Sequence, residues 1–412
     1  MSVVLNYTYR IYPDAQQEAK LLDWLEICRG SYNYALREIK DWCNSRKCPV
    51  DKCSLEAEYI IPADTPFPGY YRQQNALPKA KKDYPRLTEV PSQVLQTTIR
   101  RLHDAWDFFH KRGFGFPRFK KYGQLKSLLF PQIAPDSLTG WQIKIPKLGS
   151  VQIKVHRPIP EGFVIKQVRI VRKAARFEAV ISIESDIEIP TVQPHGRAVG
   201  IDLGLEKFLT TSDREFIGRP KFFVEKQRKL KLLQRRLARK IERSANYEKA
   251  RRQVAKHHNN IAAARKDYHY KTANHLCRDQ QIGMIFAEDL NLKAMSRGML
   301  CKQTLDAAFG QFLDILKFVC WKKGIFFARV NPDGTSQTCP MCWEATGKKE
   351  LSHRTHSCQF CGYQTDRDHA AAEVVRQRGL EQLVARDSGE SKEPVAVGLP
   401  GTGKNQSRSE AK

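Results

Sequence analysis

The spacing of apolar residues changes character three times along this chain of 412 residues. Residues 3–12 read as a strand, and the segment Pro13 to Gln17 opens a helix. From there to about residue 112 the repeat is helical. Leu25, Cys28, Tyr32, Leu36 and Ile39 fall at steps of three and four, as do Leu95, Thr98, Ile99, Leu102, Ala105, Trp106 and Phe109. The Pro-rich connection 60–91 between them predicts a loop with a short helix. The period then drops to two. Ile143 and Ile145, Val151 to Val155, Val168 and Ile170, and Phe177 to Ile183 predict a small antiparallel sheet or barrel with basic outward positions at Lys144, Lys154, Lys166 and Arg169.

Past residue 197 a third pattern begins. Ala198 to Ile201 is a short apolar run with Leu209 to Thr211 as its hairpin partner, and a long basic helical stretch follows whose buried stripe is Leu230, Leu233, Leu237 and Ile241. Ile282 to Ala287 predicts a buried strand. Leu305, Ala308, Phe309, Phe312, Ile315, Leu316 and Val319 predict an amphipathic helix, and Phe326 to Val330 a further strand. Strands alternating with helices predict an α/β layer. From about residue 386 the composition turns to Ser, Gly, Pro and charge, which predicts a disordered tail.

Charge changes the picture. Lys plus Arg is 70 against 44 for Asp plus Glu, a net charge of +26, which predicts salt-sensitive attraction to a polyanion such as nucleic acid. Between Lys226 and Lys256 there are thirteen Lys or Arg and two acidic residues. A solvated helix balances its charges four residues apart; this stretch, with Arg235 and Arg239 inside it, reads instead as a phosphate-facing surface. No apolar run approaches the ~20 residues that span a bilayer, and the N-terminus lacks an apolar signal core. The expected location is the prokaryotic cytosol, associated with the nucleoid.

The cysteines number eleven. Cys339-Pro-Met-Cys342 and Cys358-Gln-Phe-Cys361 form the double CxxC pattern of a structural zinc site, since four thiolates leave no open position for a substrate water. His353 and His356 lie between the two pairs as possible substitutes. Cys43, Cys48 and Cys53 read as free thiols. The tail segment GLPGTGK at 398–404 imitates a phosphate-binding loop, but Asn405 follows the lysine and no strand and helix flank it.

Three carboxylates stand out. Asp202 follows the apolar run ending at Ile201, Glu288 follows the run ending at Ala287, and Asp368 precedes the alanines 370–372 that begin a helix. Each alone also reads as a strand terminator or a helix cap. Converging at one sheet edge, they would suit Mg²⁺ or Mn²⁺, which favour oxygen ligands, and two such ions hold the attacking water and the leaving oxygen of a phosphodiester. Asp366 is the competing aspartate; Asp368 is preferred because it abuts the alanine run, leaving Asp366 as a cap or turn residue.

Together these residues resemble the transposon-encoded TnpB (OrfB) family of compact RNA-guided DNA endonucleases, relatives of type V CRISPR effectors. The resemblance rests on YRIYPDAQQEAKLL near the N-terminus, VGIDLG at 199–204, AEDLNLKAM at 287–295, TSQTCPMC at 335–342 and CQFCGYQTDRDHAAA at 358–372, and covers nearly all but the tail. It implies a multidomain α+β protein. A RuvC-like, ribonuclease-H-type α/β nuclease domain (196–336 and 363–385) carries a zinc-ribbon insertion (337–362). A β-barrel wedge domain (1–15 and 113–195) receives a helical recognition lobe (16–112), and the tail is 386–412. Asp202, Glu288 and Asp368 match the family's catalytic Asp-Glu-Asp. The family's Asn two residues past the last aspartate is Ala370 here, which removes a possible hydrogen bond behind the site. The resemblance also implies a guide RNA from the transposon end and a double-stranded DNA target with an adjacent motif. It points to Gln96, Thr97 and Arg100 as motif readers, with Tyr32, Tyr34 and Phe119 as stacking candidates. A nuclease-inactive RNA-guided repressor and a miniature type V CRISPR effector are the alternatives.

Overall fold

The computed structural model describes residues 3–47, 61–62, 64–113, 115–174, 176–186, 191–242, 244–295, 297–298, 300–347 and 353–387. Cys48, Cys53, the GLPGTGK segment and the tail from 388 lie outside them. The chain divides into two compact units, Met1–Ile189 and Pro190–Lys412.

The first unit runs β1 (Val3–Tyr12), α1 (Ala15–Ser45), α2 (Tyr70–Asp83), α3 (Ser92–Arg112), β2 (Ser127–Phe130), β3 (Leu138–Thr139), β4 (Gln142–Ile145), β5 (Gly149–Lys154), β6 (Val164–Arg172) and β7 (Phe177–Ser185). A capping box starts α1: the Asp14 carboxylate accepts the Gln17 N–H at 2.8 Å, and the Gln17 side chain accepts the Asp14 N–H at 3.2 Å. The strands form an antiparallel sheet in the order β2-β6-β7-β1-β5-β4-β3. Leu21, Trp24 and Leu25 of α1 and Val94, Leu95 and Ile99 of α3 share one core with Tyr9, Ile11, Val168 and Ile181 of the sheet. Further along the same helices Tyr32, Leu36, Ile39 and Leu102 form a second cluster with Trp106 and Phe116. The period-two reading locates β4 to β7. It misses β2, four residues too short to establish alternation.

The second unit runs β8 (Arg197–Asp202), β9 (Lys207–Thr211), β10 (Phe216–Gly218), α4 (Phe222–Ala238), α5 (Ala245–Leu276), β11 (Ile282–Glu288), α6 (Leu292–Met295), α7 (Cys301–Ala307), α8 (Phe309–Lys322), β12 (Phe326–Val330), β13 (Thr355–Ser357), β14 (Gln364–Asp366) and α9 (Arg367–Asp387). Its main sheet has the order β10-β9-β8-β11-β12. β8, β11 and β12 are parallel, and β9 and β10 extend the sheet as antiparallel neighbours. Val199, Ile201 and Ile285 face Ala273 and Leu276 of α5 and Phe312 and Leu316 of α8. The alternate residues, Met284 and Phe286, face Val375 of α9. The molecule is α+β, as expected.

Two expectations need correction. The basic stretch is two helices, not one: α4 stops at Ala238 and Ser244 starts α5 by accepting the Tyr247 N–H at 3.1 Å. Ile241 therefore falls in the connection and is exposed, not buried. The amphipathic helix around residue 309 also breaks, because Ala308 takes a left-handed conformation (φ 50°), which leaves Leu305 exposed on α7.

Candidate active site

The three carboxylates reach one end of the second unit's sheet by local rules. β8 and β11 are parallel neighbours, with Gly200 opposite Phe286 and Ile201 opposite Ala287. Asp202 and Glu288 are the next residues of each strand, so both stand at the same C-terminal edge. Asp368 belongs to the first turn of α9, which lies directly on those strands. That approach needs glycine. A Cβ on Gly200 would sit 2.1 Å from the Ala372 carbonyl oxygen, and one on Gly379 would sit 2.2 Å from the Phe286 ring. Ala370, Ala371 and Ala372 are buried. The alanine run is thus a close-packing surface, and Ala370 is part of it.

The electrostatics are those of crowded anions. Burial, then the charges of Glu288 and Asp368, hold the Asp202 carboxyl well above the usual range. Burial raises Glu288, partly offset by a 2.5 Å hydrogen bond from the Thr335 hydroxyl and by the nearby Arg378. Burial and then Asp366 raise Asp368, against the pull of Lys207. Asp366 goes the other way. Burial alone would raise it, but Lys207 at 2.7 Å and the backbone N–H groups of His369 and Asp368 bring it below the usual value. It caps the start of α9, the role the sequence suggests for it. The three carboxylates together offer hard oxygen ligands whose mutual repulsion a divalent cation would relieve.

Several residues around the site are not legible from spacing. Thr335 opens the segment TSQTCPMC but reads there only as part of a motif. Arg378 donates to the carbonyls of Asn331 (2.9 Å) and Asp333 (2.7 Å), tying the turn that carries Thr335 to α9. Lys207 stands five residues past Asp202 on β9. His369, buried beside Asp368, lies 3.3 Å from the Thr211 carbonyl and 3.6 Å from Glu373, which in turn accepts the Tyr363 hydroxyl at 2.9 Å.

Next along the chain from Asp368 toward its N-terminal side are the cysteines. The sulfurs of Cys339, Cys342, Cys358 and Cys361 all lie within 4.8 Å of one another, the one group of potential metal ligands this close among the described residues. Cys339 and Cys361 are 3.6 Å apart and Cys342 and Cys358 3.5 Å. A zinc tetrahedron with bonds of about 2.3 Å has edges of roughly 3.8 Å, so the four thiols fit a structural zinc. Each CxxC turns in the same way: Trp343 and Gly362, one residue past the second cysteine of each pair, both have positive φ (62° and 73°). His353 is exposed and His356 is buried; neither joins the cysteine group.

The remaining candidates are dispersed. Arg235 and Arg239 are exposed at the end of α4. Gln96 is half-buried on α3, and the Thr97 hydroxyl lies 3.0 Å from the Val94 carbonyl of its own helix and 3.2 Å from the Leu129 carbonyl of β2. Arg100 is exposed, over the Tyr70 ring at 4.8 Å and 3.7 Å from Asp104. Tyr32 is a core residue, whereas Tyr34 and Phe119 are exposed.

Three family models match the chain: one described as "Probable transposase" over residues 179–299, the "Cas12f1-like, TNB domain" over 309–375, and a "Helix-turn-helix domain" over 1–48. Within that last stretch the described residues form a strand and a single long helix. The chain is 27% identical over 409 residues to "Putative RNA-guided DNA endonuclease InsQ" of Escherichia coli (strain K12), covering 94% of this chain and 96% of that protein. It is 30% identical over 394 residues to "Putative RNA-guided DNA endonuclease" of Streptomyces pristinaespiralis, covering 92% and 90%. The chain belongs to the TnpB family. A solved structure titled "Cryo-EM structure of the Cas12f1-sgRNA-target DNA complex" aligns with this TnpB protein over 92% of the chain and all of the other, at 15% identity and a TM-score of 0.35, too distant to specify the architecture.

Proposed function

We infer that this TnpB protein is an RNA-guided DNA endonuclease, and that Asp202, Glu288 and Asp368 carry the hydrolysis. The observation that carries the assignment of residues is the meeting of the three carboxylates, from two parallel strand ends and one helix start, at a single sheet edge. The strand order β10-β9-β8-β11-β12, with the first, fourth and fifth strands of the unit parallel and the second antiparallel, supports a ribonuclease-H-type domain.

Bound Mg²⁺ or Mn²⁺ ions would supply the activated water and the stabilisation of the leaving oxygen. The protein's part is to present carboxylate oxygens from a rigid edge. Asp202 is fixed by β8 and Glu288 by β11 and the Thr335 hydroxyl, while Asp368 is fixed by the Asp366 cap. The four-cysteine clip holds the strand pair β13–β14, whose last residue, Asp366, leads directly into α9. Zinc would therefore set where Asp368 enters the sheet without taking part in the chemistry.

Guide RNA and target DNA are the partners, and the net charge of +26 suits them. In this reading the guide comes from the transposon end, and the target is duplex DNA beside a short motif. Residues 196–336 and 363–385 form the nuclease domain, 337–362 the zinc ribbon, 1–15 and 113–195 the wedge, and 16–112 the recognition lobe. Arg235 and Arg239 meet phosphates, with Gln96, Thr97 and Arg100 near the motif. Thr97 is already engaged with a backbone carbonyl, so it would act through the position of α3. Among the described residues no helix is long and apolar enough to cross a membrane, and a DNA-cutting enzyme belongs with the nucleoid.

The test is cleavage of guide-matched DNA by the complex purified with its RNA. Asp202→Ala, Glu288→Ala and Asp368→Ala should each abolish cutting while RNA binding persists. A triple variant that still cuts overturns the assignment.

A further inference from the structure

Lys207 is a cation seated against the carboxylate edge that none of the motifs includes. It begins β9, the strand that turns back from Asp202. Its Nζ lies 2.7 Å from Asp366 Oδ2, 3.9 Å from Asp368 Oδ2, and 4.1 Å from the centre of the Phe216 ring. The lysine side chain is about one-third exposed (31%), so the ammonium sits at the open side of the edge and is not sealed in a core.

The arrangement is more than an opportunistic surface pair. A free lysine loses rotamer entropy when held in one place, and an isolated exposed pair returns little for it. Here the anchor is itself fixed. Asp366 uses its other oxygen, Oδ1, to accept the N–H groups of Asp368 (3.0 Å) and His369 (3.3 Å). Asp366 cannot follow the lysine into solvent without uncapping α9. The ring of Phe216 bounds the ammonium on another side. The lysine is thus held within reach of Asp368 by groups outside the three proposed ligands.

We propose that Lys207 is a resident counter-cation of the carboxylate edge, shielding Asp368 until a divalent cation displaces its hold there. The inference rests on the Asp-Glu-Asp reading. It makes Lys207 a positioning residue that sets the divalent-cation threshold of the enzyme. Displacement leaves the ammonium on Asp366, near the bound cations, where its charge opposes theirs. Removing that charge should therefore tighten cation binding, while a lysine that only stiffened the hairpin would change stability alone.

The experiment uses the full chain with its guide RNA. Mn²⁺ binding is followed by the electron paramagnetic resonance of the free ion, and the sites on RNA are subtracted with an Asp202→Asn, Glu288→Gln, Asp368→Asn triple variant. Lys207→Met should bind Mn²⁺ about fivefold or more tightly, the direction that loss of a like charge at this range gives. It should also reach half-maximal cleavage at a correspondingly lower Mn²⁺ concentration, with Lys207→Arg close to the unaltered protein. Lys207→Gln replaces Lys207→Met if thermal melting shows the latter unfolded. Affinity unchanged within about twofold, or weakened, overturns the proposal. If the triple variant binds as much Mn²⁺ as the unaltered protein, the metal-site reading itself falls; if it loses that binding and Lys207→Met is unchanged, only the role of Lys207 falls.

Discussion

At the scale of single residues, the hydroxyl of Thr335 supports the site from behind one of its carboxylates. It donates a 2.5 Å hydrogen bond to a buried carboxylate. Partners behind a metal ligand commonly contribute 10–100-fold to affinity or activity. Thr335→Val should lower cleavage about tenfold while Thr335→Ser retains it, measured as single-turnover rates at saturating Mg²⁺. A different residue contributes to acid sensitivity. His269 is fully buried, stacks on Phe208, and is 3.0 Å from the Ala307 carbonyl. Burial lowers its pKa from 6.5 to about 4. A lowered histidine gives stability that is present above the unfolded value and lost as pH falls toward the folded one. The window is therefore pH 6.5 down to about 4. Urea unfolding at pH 5 should show about 2 kcal/mol less stability than at pH 7.5 from this group, and His269→Gln should remove that dependence. Asp202 and Glu288 stood out because a charge directly after a buried run needs a reason, and Asp368 because it abuts the alanine run. Lys207 and Thr335 did not, since a lysine near a hairpin and a threonine in a turn look the same whether or not a carboxylate faces them.

At the scale of elements, everything depends on how closely α9 lies on β8. A Cβ added at Gly200 would meet backbone atoms of that helix, which cannot swing aside as a side chain end would. Gly200→Ala should therefore push the helix, and Asp368 with it, off the sheet. The expected cost is about 1–3 kcal/mol in the second unit, with loss of cleavage well beyond that change in stability, read by denaturant melts beside rate measurements. Periodicity found most strands and helices because their buried faces repeat. It failed where the backbone itself decides. Ser244 starts a new helix with a single hydroxyl six residues after the previous helix has stopped at Ala238, and Ala308 breaks a helix while carrying the residue type least expected to do so. The glycine of VGIDLG was visible as a letter in a motif, but its reason, the Ala372 carbonyl, lies 172 residues away in the chain.

At the scale of the whole molecule, charge and cysteine spacing carried most of the functional meaning, because both act without exact registration of the fold. The double CxxC needed only its spacing to announce four thiolates, and the sulfurs do gather. Metal analysis should find one zinc bound by these cysteines, and Cys339→Ser or a strong chelator should reduce it. Cleavage should fall in parallel, since the clip leads through β14 into Asp368. Preserved cleavage in zinc-free protein would separate the clip from the active edge. Asp202 and Glu288 are made earlier, on strands whose outer face needs α9 to cover it, while Asp368 arrives only with that helix. A polypeptide still leaving the ribosome thus carries two carboxylates without their third. On the Asp-Glu-Asp reading the nuclease would not be armed until synthesis had passed both cysteine pairs, and a product cut short before residue 368 would lack a cutting edge however well its earlier parts had folded.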